Sequence, residues 1–175
     1  VFAASMTSEA NRAYFVKNVR YLMGDDTRVL VYNDDTNESD NMEEYNAVQD
    51  IEEKLGIDMP EFLYRPVEFD YLSYEVNITV STARIEYLYK ENVILFYMDK
   101  QSENKASKID SLHGTKIDSI MYGDKDIEIT FEEIKDINDK NPSYVAQWEV
   151  GDVVYQLSGK MDLNEMKKII ENMVY

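Results

Sequence analysis

Residues 144–173 read Y-V-A-Q-W-E-V-G-D-V-V-Y-Q-L-S-G-K-M-D-L-N-E-M-K-K-I-I-E-N-M. Two β-rich runs, Tyr144 to Val150 and Val153 to Leu157, flank Gly151-Asp152. A Gly-Asp pair in that position predicts a two-residue hairpin loop of type II′. The pattern then changes. Leu163, Met166, Ile169, Ile170 and Met173 recur at helical spacing, and Asp162 with Glu165 has the spacing of a capping box. A hairpin running directly into an amphipathic helix predicts a sheet with that helix, 162–173, packed across one face. Trp148, the single tryptophan, shares its strand face with Tyr144, Ala146 and Val150, so it is expected in the core. A one-residue slip of the hairpin would turn it to solvent.

Upstream, more strands precede this unit. Arg84 to Tyr89 and Val93 to Met98 are β-rich and separated by Lys90-Glu91-Asn92, a hairpin signal. Thr115 to Tyr122 reads as a strand ending at a Gly123-Asp124 turn, and Ile127, Ile129 and Phe131 alternate with Glu128, Thr130 and Glu132. Lys100 to Leu112 is polar and reads as a loop. Two helices are expected before the strands. One covers residues 7–23, with Phe15, Val19, Leu22 and Met23 on one stripe. The other runs from Met42 to Leu55, with Tyr45, Val48, Ile51 and Leu55 buried and Gly56 just past its end. Arg28 to Tyr32 is a short β-prone run, and Pro60 and Pro66 mark an extended connection. Helices and strands segregated in this way indicate an α+β fold: N-terminal helices, a mostly antiparallel curved sheet of five to seven strands, and a C-terminal helix on one face. With 175 residues, one domain is expected.

Composition narrows the functional classes. Thirty-five Asp+Glu stand against 18 Lys+Arg, a formal net charge of −17. That balance argues against a nucleic-acid partner and against docking on anionic lipid, both of which need basic side chains. Cysteine is absent, which removes disulfides, thiol nucleophiles and Cys-ligated metals. One histidine, His113 before Gly114, cannot by itself build a catalytic triad or a zinc site, and it reads as part of a surface turn. Asn33, Asp35, Asn37, Ser39, Asn41 and Glu44 fall at calcium-loop spacing, but position one is not Asp and Glu38 stands where the bend needs Gly. The stretch Asn33 to Asn41 therefore reads as a solvated acidic loop. Glu132 and Glu133 are adjacent, and neighbours on a strand point to opposite faces, so they are a poor acid–base pair. There is no phosphate-cradling glycine loop and no dinucleotide fingerprint. No cofactor and no metal are expected, and an enzyme is not the expected reading.

Both faces of Val93 to Met98 are apolar, as are large parts of Ile85 to Tyr89. Such strands lie mid-sheet with cover on both sides. Core is the first explanation. The alternative is an apolar-ligand or interaction face formed by Ile85, Tyr87, Tyr89, Phe96, Tyr97 and Trp148, as in a carrier for a lipid or other apolar molecule.

Three blocks also resemble an uncharacterised bacterial family, the domain of unknown function catalogued as 4367. They are Ile51 to Pro60 (I-E-E-K-L-G-I-D-M-P), Leu112 to Ile117 (L-H-G-T-K-I) and the 144–173 unit. Together they place the family-like region at 44–175, with 1–43 matching only loosely. Tyr64-Arg65-Pro66 departs from the family's turn, where similar sequences often carry Leu-Pro-Glu-Gly. The resemblance implies location more than chemistry. Such domains typically follow a single transmembrane helix in Gram-positive bacteria and sit outside the cytoplasm, some joined to anti-sigma-factor-like segments. The implied protein is a non-enzymatic extracytoplasmic domain with a sensory or protein-interaction role, tethered by an N-terminal segment. Val1 to Ser5 (V-F-A-A-S), small, apolar and beginning without Met, reads either as the remnant of such a segment or as an arbitrary cut.

Overall fold

A computed structural model describes residues 29–32, 37–101, 114–123, 127–135 and 139–175. The chain runs β1 (Val29–Tyr32), α1 (Asn37–Leu55), β2 (Glu61–Phe62), β3 (Phe69–Asn77), β4 (Thr82–Tyr89), β5 (Asn92–Lys100), β6 (Thr115–Tyr122), β7 (Ile127–Ile134), β8 (Ser143–Val150), β9 (Val153–Gly159), α2 (Leu163–Glu171) and β10 (Met173–Val174). The seven strands from β3 to β9, apart from the small ribbon of β2 with β10, form one antiparallel sheet. The short β1 adds an eighth at its edge, giving the order β1-β3-β4-β5-β9-β8-β7-β6. This is the α+β architecture expected from the segregated pattern.

The hairpin that decides the fold forms as read. Val150 pairs with Val153 across Gly151-Asp152, and Gly151 takes a φ of 62°, a left-handed value that suits glycine. Trp148 lies opposite Tyr155 and is 1% exposed. The β4–β5 turn is tighter than the three residues that signalled it. Tyr89 pairs with Asn92 around a two-residue loop whose first residue, Lys90, has positive φ. β5 and β9 occupy the middle of the sheet, which accounts for strands apolar on both faces.

Both helices cover the same face. Ala47, Ile51 and Leu55 of α1 and Met166, Ile169 and Ile170 of α2 join one core cluster with Ile85, Phe96, Phe131, Trp148 and Leu157 of the sheet. β2 lies over that face too, since Phe62 packs on Phe96 with ring centroids 5.0 Å apart.

Several boundaries differ from the sequence expectation. α1 begins at Asn37, five residues before Met42, so the second half of the presumed acidic loop is helical; side chains there favour caps and turns, and no apolar residue marked the extra turn. The expected buried stripe of α1 is offset as well: Tyr45 is exposed, and Ala47 takes its place toward the core. α2 ends at Glu171 rather than continuing to Met173. Asn172 caps it, and Met173 opens a strand against Phe62. Only half of the capping box forms. Asp162 accepts from the N–H groups of Asn164 and Glu165, but the Glu165 carboxylate accepts instead from the Tyr64 hydroxyl and from Lys168. The helix expected over 7–23, His113, and most of the 100–112 loop lie outside the described residues.

Candidate functional site

Alternation along the strands sorts the six residues of the candidate face. Ile85, Tyr87, Tyr89, Phe96 and Trp148 share the helix-covered side, each no more than 5% exposed. Tyr97 follows Phe96 in β5 and therefore points to the opposite side. Five of the six come together and the sixth does not.

The four aromatic residues among them, Tyr87, Tyr89, Phe96 and Trp148, belong to a continuous aromatic band. Tyr71 meets Tyr87 edge-on, and Phe69 stacks on Tyr87 at 4.7 Å. Phe62 bridges Tyr87 to Phe96. Phe96, Trp148 and Tyr155 stack together at 5.7 to 6.2 Å, and Tyr155 meets Tyr175 edge-on. Several tyrosine and tryptophan tips in and beside the band find a partner. Trp148 Nε1 donates to the Tyr175 hydroxyl at 2.7 Å, Tyr155 donates to the Asp58 carbonyl at 2.6 Å, and Tyr122 donates to the Met173 carbonyl at 2.5 Å. Among the described residues, the rings of Tyr87, Tyr89, Phe96 and Trp148 pack with α1, α2 and β2 into one core cluster that leaves them no more than 5% exposed. A dent of about 470 Å³ lies elsewhere, at the β4–β5 turn, lined by Glu68, Lys90, Glu91 and Asn92.

One polar constellation enters this apolar side. Glu44 of α1 is 7% exposed and receives both arms of Arg65, at 2.6 and 2.8 Å, and the Tyr87 hydroxyl at 2.7 Å. The Arg65 guanidinium also stands over the Tyr87 ring. Burial and the Glu44 charge push the Tyr87 phenol well above its ordinary range. Both Glu44 carboxylate oxygens accept, so the constellation clamps α1, the β2–β3 connection and β4 together. Nothing in the linear sequence foretold it. Glu44 was legible only as the last position of a poor calcium loop, and Arg65 only as a departure from a family turn. Tyr64, beside it, is also used: its hydroxyl donates to Glu165 at 2.5 Å, and that bond raises its own pKa.

The carboxylates considered for chemistry are dispersed. Glu132 and Glu133 face opposite sides of β7. Glu133 pairs with Lys135, while partial burial raises the Glu132 carboxyl. Asp118 bonds Lys167 of α2, which holds its carboxyl below the usual range, and the Lys167 ammonium sits over the Phe131 ring. Among the described residues, no group of three or more His, Cys, Asp or Glu side chains is placed to hold a metal ion. No described helix is long and apolar enough to cross a membrane.

A family model described as a domain of unknown function, DUF4367, matches residues 59–173. The match takes in the second and third sequence blocks whole and only the Met59-Pro60 end of the first. No curated protein and no solved structure matches the chain.

Proposed function

The chain belongs to the DUF4367 family, and from that premise we propose that it is a non-enzymatic extracytoplasmic domain, tethered to the cell membrane by a segment N-terminal to it, that acts through protein contacts made by its surface. A role in sigma-factor regulation is the finer form of the proposal. The observation that carries it is the closed aromatic band. The side of the sheet that carries these rings is spent on packing against α1, α2 and β2, so the surface is left for recognition. This favours an interaction domain over a carrier. The shifted carboxyls of Asp118, Glu128 and Glu165 each owe their shift first to one lysine, which is the behaviour of structural ion pairs and supports the non-enzymatic part.

Protease treatment of intact cells making the full-length protein tests the location. This domain should be cut from outside while a cytoplasmic marker survives. A domain protected in intact cells and cut only after lysis would overturn the proposal.

A further inference from the structure

Strand β6 closes one end of the sheet. Among the described residues it is paired on one side only, with β7, so its outer edge presents backbone N–H and C=O groups to solvent. An open edge of this kind is a template for a further strand. The opposite edge, β1, offers four residues where β6 offers eight. Large apolar side chains stand along β6, with Ile117 40% and Met121 60% exposed. The devices that usually guard an edge are weak here. No proline stands in residues 115–122, and the one lysine, Lys116, is bound to Glu128. The bulge at Ile117 lies near the start of the strand and leaves Asp118 to Tyr122 in regular register.

We propose that β6 pairs antiparallel with β6 of a second copy of this chain, joining the two sheets edge to edge about a two-fold axis perpendicular to them. Charge permits the approach here. Each copy carries −17, so two copies repel over most of their surface. Residues 115–122 are neutral, with one lysine and one aspartate, and both charges are already paired within the copy: Lys116 with Glu128, and Asp118 with Lys167 of α2. The register is self-complementary. A two-fold axis sets residues of the same face opposite each other, so the pairing must be centred on a residue. Centring on Ile120 uses the whole regular stretch. Ile120 then lies opposite its own copy, Ser119 opposite Met121, and Asp118 opposite Tyr122, with no like charges facing. Ile120 and Tyr122 pack against the helix-covered core of their own copy, so the pairing runs the two cores together along one face. On the other face the Met121 side chain loses its exposure to solvent. This self-matching register is what selects a second copy over a foreign strand.

Sedimentation of the full chain at physiological salt tests the pairing. At about 100 µM it should run as a dimer that dissociates on dilution, since an interface of one short strand gives an affinity in the micromolar range. Met121→Lys puts a guarding charge on the edge at an exposed position, and should weaken self-association at least about tenfold. The added positive charge lowers the overall repulsion between copies, so the loss would report the edge and not net charge. Tyr45→Lys makes the same charge gain at an equally exposed position on α1 and should leave the dimer intact. A chain that stays monomeric, a dimer that tolerates Met121→Lys, or one that Tyr45→Lys weakens equally overturns the proposal. A second measurement reads the register. The chain has no cysteine, so a single engineered thiol can form a disulfide only between copies. Under mild oxidant, either Ile120→Cys alone or Ser119→Cys mixed with Met121→Cys should give a covalent dimer about tenfold faster than Tyr45→Cys. No such gain in either arm contradicts the pairing.

Discussion

Ile169 and Lys167 are two residues apart on α2 and differ in what they touch. Ile169 has no exposed surface and lies in the core cluster, while Lys167 reaches Asp118 and the Phe131 ring from the rim. Ile169→Ala should cost about 2–5 kcal/mol, and Lys167→Ala under about 1 kcal/mol, both read by urea unfolding. Equal losses would mean that α2 is not docked by its apolar face. Glu44 supplies a second residue-level test. Glu44→Ala leaves Arg65 and the buried Tyr87 hydroxyl without their shared acceptor, a loss of about 2 kcal/mol or more. An unchanged unfolding midpoint would show that the clamp contributes nothing. Trp148 was legible as core because alternation alone assigns its face. Tyr97 was legible as buried but not as belonging to the other side from Phe96, because apolar residues on both faces erase the alternation that tells them apart. Glu44 with Arg65 could not be read at all, since their meeting depends on how α1 lies over the sheet.

Among the elements, the strands that show clean signals form where they are expected: the β4–β5 hairpin, β6, β7 and the β8–β9 hairpin. β3 is harder to read because Leu72 is a bulge. The pairing shifts between Tyr71 and Ser73, so the helix-facing positions change parity in mid-strand, from Phe69 and Tyr71 to Tyr74 and Val76. β10 escaped because Met173 also satisfies the helical spacing of α2. The Leu-Ser-Gly end of β9 now has a physical reason. Gly159 lies between Ile94 and Tyr144, and a Cβ there would come within 2.5 Å of the Ile94 side chain and 2.9 Å of the Val93 carbonyl oxygen. Gly151, by contrast, has positive φ but open space around it. Gly151→Ala should therefore cost about 1–2 kcal/mol from backbone conformation alone. Gly159→Ala should cost more, because the β5 backbone must move. Thermal melts of the two variants check the order, and the reverse order would show that β9 does not sit so close to β5.

For the whole molecule, charge and tyrosine content govern how stability responds to solvent. A net charge of −17 is self-repelling, so raising ionic strength from low to physiological should raise the melting temperature. Burial raises the phenols of Tyr71, Tyr87, Tyr97, Tyr155 and Tyr175. A group whose folded pKa lies above its unfolded value gives stability that is complete below the unfolded pKa. That stability is lost as pH climbs toward the folded one. The window here opens near pH 10, the ordinary value for a phenol. Part of the tyrosinate absorbance should appear there and the rest should appear abruptly, together with the loss of secondary structure. A single smooth titration of all tyrosines in a folded chain would contradict the buried band. The central claim is that this band is closed, leaving the surface to do the recognition, and Trp148 reports on it alone because it is the only tryptophan. Trp148 fluorescence, read with an aqueous quencher and then with a long-chain fatty acid, is the most direct measurement. The closed band predicts blue-shifted emission, poor quenching and no response to the fatty acid. Ready quenching, or a saturable shift as the fatty acid is added, would mean that the face opens to a ligand.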